Sequence, residues 1–99
     1  MKSNTYHASD LADAARIMGG PLRGTAAAVN IHEAEHSLNS GRPIEFYDRR
    51  GQVAVTRKLV KLPANSPYAG KDSGFKYQVI ENIIDPKAAV YATIKKPDQ

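Results

Sequence analysis

The segment RPIEFYDRRGQVAVTRKLVKL, running from Arg42 to Leu62, decides the fold. Ile44 and Phe46 alternate with Glu45 and Tyr47, the two-residue period of a strand with one buried face. Asp48-Arg49-Arg50-Gly51 supplies a type I turn, closed by a glycine free to take positive φ. Val53 and Val55 then resume the inward face, so the segment predicts a β-hairpin. Val60 and Leu62 fall on the opposite parity. That shift predicts a bulge near Arg57 or Lys58, or a strand that changes partners there.

The hairpin also holds the charge. Arg42, Arg49, Arg50, Arg57, Lys58 and Lys61 set against Glu45 and Asp48 leave residues 42–61 at +4, which equals the formal charge of all 99 residues. The two flanking stretches, at −1 and +1, cancel each other. A pI of about 9.5 suits an anionic partner, though the excess is far below that of a DNA-coating protein.

Working outward toward the N-terminus, residues 1–8 are polar and read as frayed. Ser9 is a candidate helix cap, with Asp10 and Asp13 suited to the positive end of the helix dipole. Leu11, Ala14, Ala15 and Met18 form an apolar stripe at helical spacing, ended by Gly19-Gly20-Pro21. A second helix is predicted from Thr25 to about Leu38. Its narrow apolar face is Ala27, Ile31, Ala34 and Leu38, and Asn39-Ser40-Gly41 with Pro43 stops it.

Beyond the hairpin, Pro63 to Gly74 reads as a loop of a length that is uncommon in a compact domain. Phe75 to Ile80 predicts a third strand, with Phe75, Tyr77 and Val79 sharing a face. Asn82 to Pro86 predicts a turn or bulged corner. Val90, Ala92 and Ile94 alternate with Tyr91, Thr93 and Lys95 in a fourth strand, and residues 96–99 read as frayed. Helices gathered early and strands late predict one α+β domain: two N-terminal helices on one face of a four-stranded, mostly antiparallel sheet. Ninety-nine residues bury roughly 65% of the unfolded surface, enough for a modest core.

Chemistry is sparse. The chain has no cysteine, which excludes disulfides, thiolate nucleophiles and Cys-type zinc sites and fits a reducing cytoplasm. Residues 1–10 lack the apolar core of a secretory signal, and no apolar run approaches the roughly 20 residues of a membrane helix. The expectation is thus a cytoplasmic protein with no membrane partner. No G-x-S-x-G or acid/base carboxylate pair is legible.

One motif is pointed. His32-Glu33-Ala34-Glu35-His36 spells H-E-x-x-H, and over these five residues it resembles the signature of the zincin metalloproteases. In that family, histidines at i and i+4 share a zinc ion and the glutamate deprotonates the metal-bound water. The resemblance would make His32 and His36 metal ligands and Glu33 the general base. Against it, a charge at Glu35 suits a buried catalytic helix poorly, and His7 is the only other histidine. A third ligand would have to be a carboxylate such as Glu45 or Glu81. The two histidines also lie away from the helix's apolar stripe. A zinc hydrolase is therefore the runner-up; a solvated helix face without cofactor is the first reading.

A second candidate is Gly19 to Thr25, glycine-rich and ahead of a predicted helix. It has no P-loop lysine and follows a helix instead of a strand, so it reads as a linker, with Arg23 as a chance anion contact.

The third candidate is the basic sheet. Strand parity predicts Tyr47, Tyr91, Lys76 and Lys95 on the wet face, with Arg57 and Lys58 nearby and Arg49 and Arg50 at the turn. Rings that stack bases among cations that hold phosphates are what single-stranded nucleic acid needs. An arginine-tipped ribbon can also enter a DNA groove. Tyrosine, threonine and lysine are equally ordinary on any wet strand. These residues predict a small basic binding protein, monomeric or homodimeric. It would dock on nucleic acid or on a nucleoprotein or protein complex, as an accessory or inhibitor protein.

Overall fold

A computed structural model of the chain describes residues 2–19, 21–22, 25–26, 29–63, 65–66, 74–87 and 93–94. The protein is α+β. Strand β1 (Lys2–Ala8) comes first, then helix α1 (Leu11–Met18), a short ribbon of β2 (Pro21–Leu22) and β3 (Thr25–Ala26), and helix α2 (Ile31–Ser40). The hairpin strands β4 (Ile44–Tyr47) and β5 (Val53–Lys61) follow, then β6 (Tyr77–Ile83) and β7 (Thr93–Ile94). The main sheet has the order β1-β6-β5-β4-β7, with every neighbouring pair antiparallel.

Several sequence expectations change. Residues 2–8 are not frayed: they pair with β6 from Lys2 opposite Ile83 to Ala8 opposite Tyr77. The second helix starts at Ile31, not near Thr25, because Asn30 and Glu33 form a capping box. The Asn30 side chain accepts from the Glu33 N–H at 2.9 Å, and the Glu33 carboxylate accepts from the Asn30 N–H at 3.1 Å. Thr25 instead pairs with Leu22 in the short ribbon. Asp10, not Ser9, caps α1, accepting from the Asp13 N–H at 2.7 Å. The third strand runs on to Ile83, through residues expected in a corner. Of the predicted fourth strand, Thr93 and Ile94 pair with β4; Val90 and Ala92 lie outside the described residues, as does most of the 63–74 loop.

The bulge is also displaced. Phe46 pairs with Val55 but Tyr47 with Val53, leaving Ala54 as the extra residue. Ala54 and Val55 are both buried while Val53 is only half-buried, and register places Val53 with Tyr47. Both Ile84 and Asp85 donate their N–H to the Ala54 carbonyl. From Val55 to Lys61, β5 then pairs with β6 without interruption, so Arg57 and Leu59 continue the inward face.

The two helices touch each other and β5, and α1 also touches β1 and β6. Ala14, Ala15 and Met18 of α1 and Ala34 of α2 share one core with Ile44, Phe46, Ala54, Val55, Leu59, Val79 and Ala8. Burial of Phe46, Met18 and Leu59 stabilises the fold by roughly 1.5–3 kcal/mol each. Alanines on the helix faces allow close approach to the sheet. Ser37 ties α2 to the hairpin, donating to the Arg42 carbonyl at 2.7 Å and accepting from the Leu59 N–H at 3.1 Å. Leu59 lies beyond the last β4–β5 pair, Ile44 with Arg57, so a helix hydroxyl takes the place of a ladder bond.

Candidate nucleic-acid interface

The hairpin turn is built around the Asp48 carboxylate, which is almost fully buried. Its Oδ1 accepts from the N–H of Arg50 and of Gln52, both at 2.9 Å. The backbone closes the loop, with Asp48 donating to Gln52 at 2.9 Å and Gly51 to Asp48 at 3.1 Å. Gly51 has φ of 79°, the left-handed conformation the turn needs. A braced turn of this kind holds Arg49 and Arg50 outward, both exposed. Arg50 is 71% exposed at the side chain and rests 3.7 Å from Asp48, so it stays available to solvent.

Register then defines the sheet face adjoining the turn. Cross-strand partners share a face, so Ser3, Asn82 and Thr56 form one rung, Thr5, Ile80 and Lys58 a second, and His7, Gln78 and Val60 a third. These residues alternate with the core positions of β1, β6 and β5. The face is mixed, with half-buried Ile80 and Val60 beside polar groups, and Lys58 is half-buried at its centre. Tyr47 donates to Glu45 Oε1 at 2.8 Å on neighbouring β4. Burial, then the Glu45 hydrogen bond and charge, pushes its phenol above the ordinary tyrosine value. Lys76 is exposed just ahead of β6. Its backbone joins both neighbours, the N–H donating to the Ala8 carbonyl and the carbonyl accepting from the Leu62 N–H.

Arg57 leaves this set. It is 5% exposed and points into the core, because β5 holds one register through it. Its Nε and Nη2 donate to Glu81 Oε2 at 2.8 and 2.7 Å, and Nη1 donates to the carbonyls of Met18 and Ile17 at 2.9 and 3.2 Å. The guanidinium also lies 5.7 Å from the Phe46 ring centre. It thus caps the C-terminal end of α1, where free carbonyls favour a cation. Asn4 and Tyr6 of β1 donate to the other Glu81 oxygen at 2.9 and 3.1 Å. Burial pushes the Glu81 carboxyl up. The hydrogen bonds from Asn4 and Arg57, the Arg57 charge and the Tyr6 hydrogen bond outweigh it, and the group titrates below its ordinary 4.5. Sequence reasoning missed this network, whose members come from four elements. Tyr91 and Lys95 lie outside the described residues.

In α2, His32 and His36 are exposed, and the Glu33 carboxylate is engaged by the capping box. Among the described residues, no group of three His, Asp or Glu side chains is placed to hold a metal ion. Gly19 donates its N–H to α1 carbonyls and Thr25 stands in a strand, so the Gly19–Thr25 stretch does not open a helix. That removes the geometry of a phosphate loop; Arg23 lies outside the described residues.

Comparison with protein-family models, curated proteins and solved structures found no match. Among the described residues, no helix is long and apolar enough to cross a membrane.

Proposed function

We propose that the chain is a small basic binding protein of the cytoplasm that docks on nucleic acid through its arginine-tipped hairpin and the adjoining sheet face. Acting as an accessory or inhibitor of a nucleoprotein machine fits a domain of this size with no legible catalytic set. One observation carries the reading: the buried Asp48 carboxylate braces a turn that holds Arg49 and Arg50 into solvent. Guanidinium forks match phosphate geometry, and a pre-ordered turn reduces the entropy lost on binding. Lys58 and Lys76 extend the cationic surface, and Tyr47 offers a ring beside it. Arg57 takes no part, being committed to Glu81.

The test is titration of single-stranded and duplex oligonucleotides at 50 and 200 mM salt. Affinity is expected to fall steeply with salt, because bound phosphates release counterions. Arg49→Ala with Arg50→Ala is expected to weaken binding and to lower the salt slope by about two, one for each lost phosphate contact. No binding at 50 mM salt, or a double variant that binds like the parent, overturns the reading. A partner protein recovered in place of nucleic acid would make this surface a protein-docking site.

A further inference from the structure

We propose that the outer edge of β1 is a self-association site, at which a second copy of this chain adds its own β1 antiparallel and joins the two main sheets into one. This inference is independent of the nucleic-acid reading. Strand β1 stands at the end of the sheet order, and among the described residues no strand pairs with its outer side. It keeps an unbroken seven-residue register with β6. Soluble proteins blunt such edges with proline, bulges or inward-pointing charges. Lys2–Ala8 contains no proline and no register shift, and its one lysine stands at the first position. Ser3, Thr5 and Tyr6 are exposed along it. The opposite edge, β7, has two residues.

The occupant follows from charge and symmetry. A two-fold axis at Thr5 is the arrangement that pairs all seven residues. It sets Thr5 against its own copy, Asn4 against Tyr6, Ser3 against His7 and Lys2 against Ala8. No like charges of the strand then oppose each other. Each Lys2 comes to the end of the other copy's strand where the chain bends into the exposed Asp10, two residues beyond Ala8, so opposite charges are brought toward each other at both ends. An antiparallel pair of this kind is isologous and closes at two copies. Because β5 runs parallel to β1, the two arginine tips would stand at opposite ends of the joined sheet, with both Lys58 rungs on the same side.

Edge pairing over seven residues is a small interface, so the dissociation constant is expected on the order of micromolar to hundreds of micromolar. Sedimentation equilibrium of the full chain, taken up to about 1 mM, is expected to show a monomer–dimer equilibrium. Thr5→Lys places two ammonium groups face to face at the axis and is expected to give a monomer with an unchanged circular-dichroism melt. Thr5→Cys supplies the only thiol in a chain that has none. Cα atoms directly opposite across the axis lie about 4.5–5.5 Å apart, within disulfide range. With oxidised glutathione as the oxidant, it is expected to cross-link through the new thiols. Ser3→Cys, whose copies would stand about 13 Å apart along the strands, is expected not to. A parent protein that stays monomeric to 1 mM overturns the proposal. So does a dimer that persists in Thr5→Lys, or one that cross-links equally well through Ser3→Cys.

Discussion

Arg57 and Glu81 face each other across β5 and β6, with Nη2 and Nε both directed at one carboxylate oxygen and neither side chain more than 7% exposed. The second oxygen is taken by Asn4 and Tyr6. The pair therefore joins β1, β6, β5 and the end of α1 in one satisfied polar cluster. Satisfaction of every lone pair is what makes a buried charge tolerable, since an ion pair without it seldom repays desolvation.

Arg57→Ala is expected to destabilise the protein by about 3–5 kcal/mol, leaving Glu81 charged and buried and the Met18 carbonyl without the Arg57 donor. A domain of this size has on the order of 5–15 kcal/mol in total, so the variant would approach the edge of folding. The double variant Arg57→Met with Glu81→Leu removes both charges and is expected to recover most of that loss. Urea unfolding followed by circular dichroism measures both. A double variant no more stable than Arg57→Ala would show that the pair itself, and not the orphaned charge, carries the stability.

Asp48→Ala separates charge from positioning at the hairpin tip. Deleting a negative charge 3.7 Å from Arg50 would on electrostatics alone tighten binding to an anion. Losing the acceptor for the Arg50 and Gln52 N–H groups loosens the turn, at a cost of about 1–3 kcal/mol. Weaker oligonucleotide binding than the parent at equal salt is expected. Tighter binding would mean that the brace is irrelevant to recognition.

Gly51→Ala probes the same turn through the backbone. Space is not at issue, because nothing lies within 4 Å of an added Cβ. The cost is that of holding φ at 79°, about 1–2 kcal/mol for an L-residue. Gly51→Asn, which tolerates this conformation better, is expected to cost less in the same thermal melts. Equal losses would place the difficulty elsewhere in the loop.

The hairpin, its turn and the α+β class were legible because alternation and turn chemistry are local signals. Ile44, Phe46 and Gly51 behave as their spacing predicts. Arg57 was not legible. A cation at an inward position reads as a break in the pattern, and the partner that permits it, Glu81, lies 24 residues on in another strand. Val60 compounded this by standing half-buried on the open face. β1 escaped because, of its seven side chains, Ala8 alone is buried, and an edge strand needs no apolar alternation. The start of α2 was written locally in Asn30 and Glu33, but the apolar spacing that reaches back to Ala27 favoured an earlier start. At the candidate interface, the exposed Arg49 and Arg50 follow from the turn alone.

Acid should expose the role of Glu81. Its folded-state carboxyl is held below the ordinary 4.5, so the unfolded chain binds the proton more readily. The resulting stabilisation is fully present above the unfolded value and is lost as pH falls through the folded one. The free energy of unfolding is therefore expected to be level from neutrality to about pH 5 and to decline below 4.5. Asp13 adds a decline of the same sign. The Arg16 hydrogen bond first, and then that from the Ser9 backbone, lowers its carboxyl below the ordinary 3.8. Asp13→Asn removes that contribution and leaves the Glu81 part for measurement. Adding Glu81→Gln lowers stability at neutral pH and deletes the titrating group, so the gap between the two proteins is expected to close as the solution is acidified. Parallel curves below pH 4.5 would mean that the acid lability arises from other carboxylates.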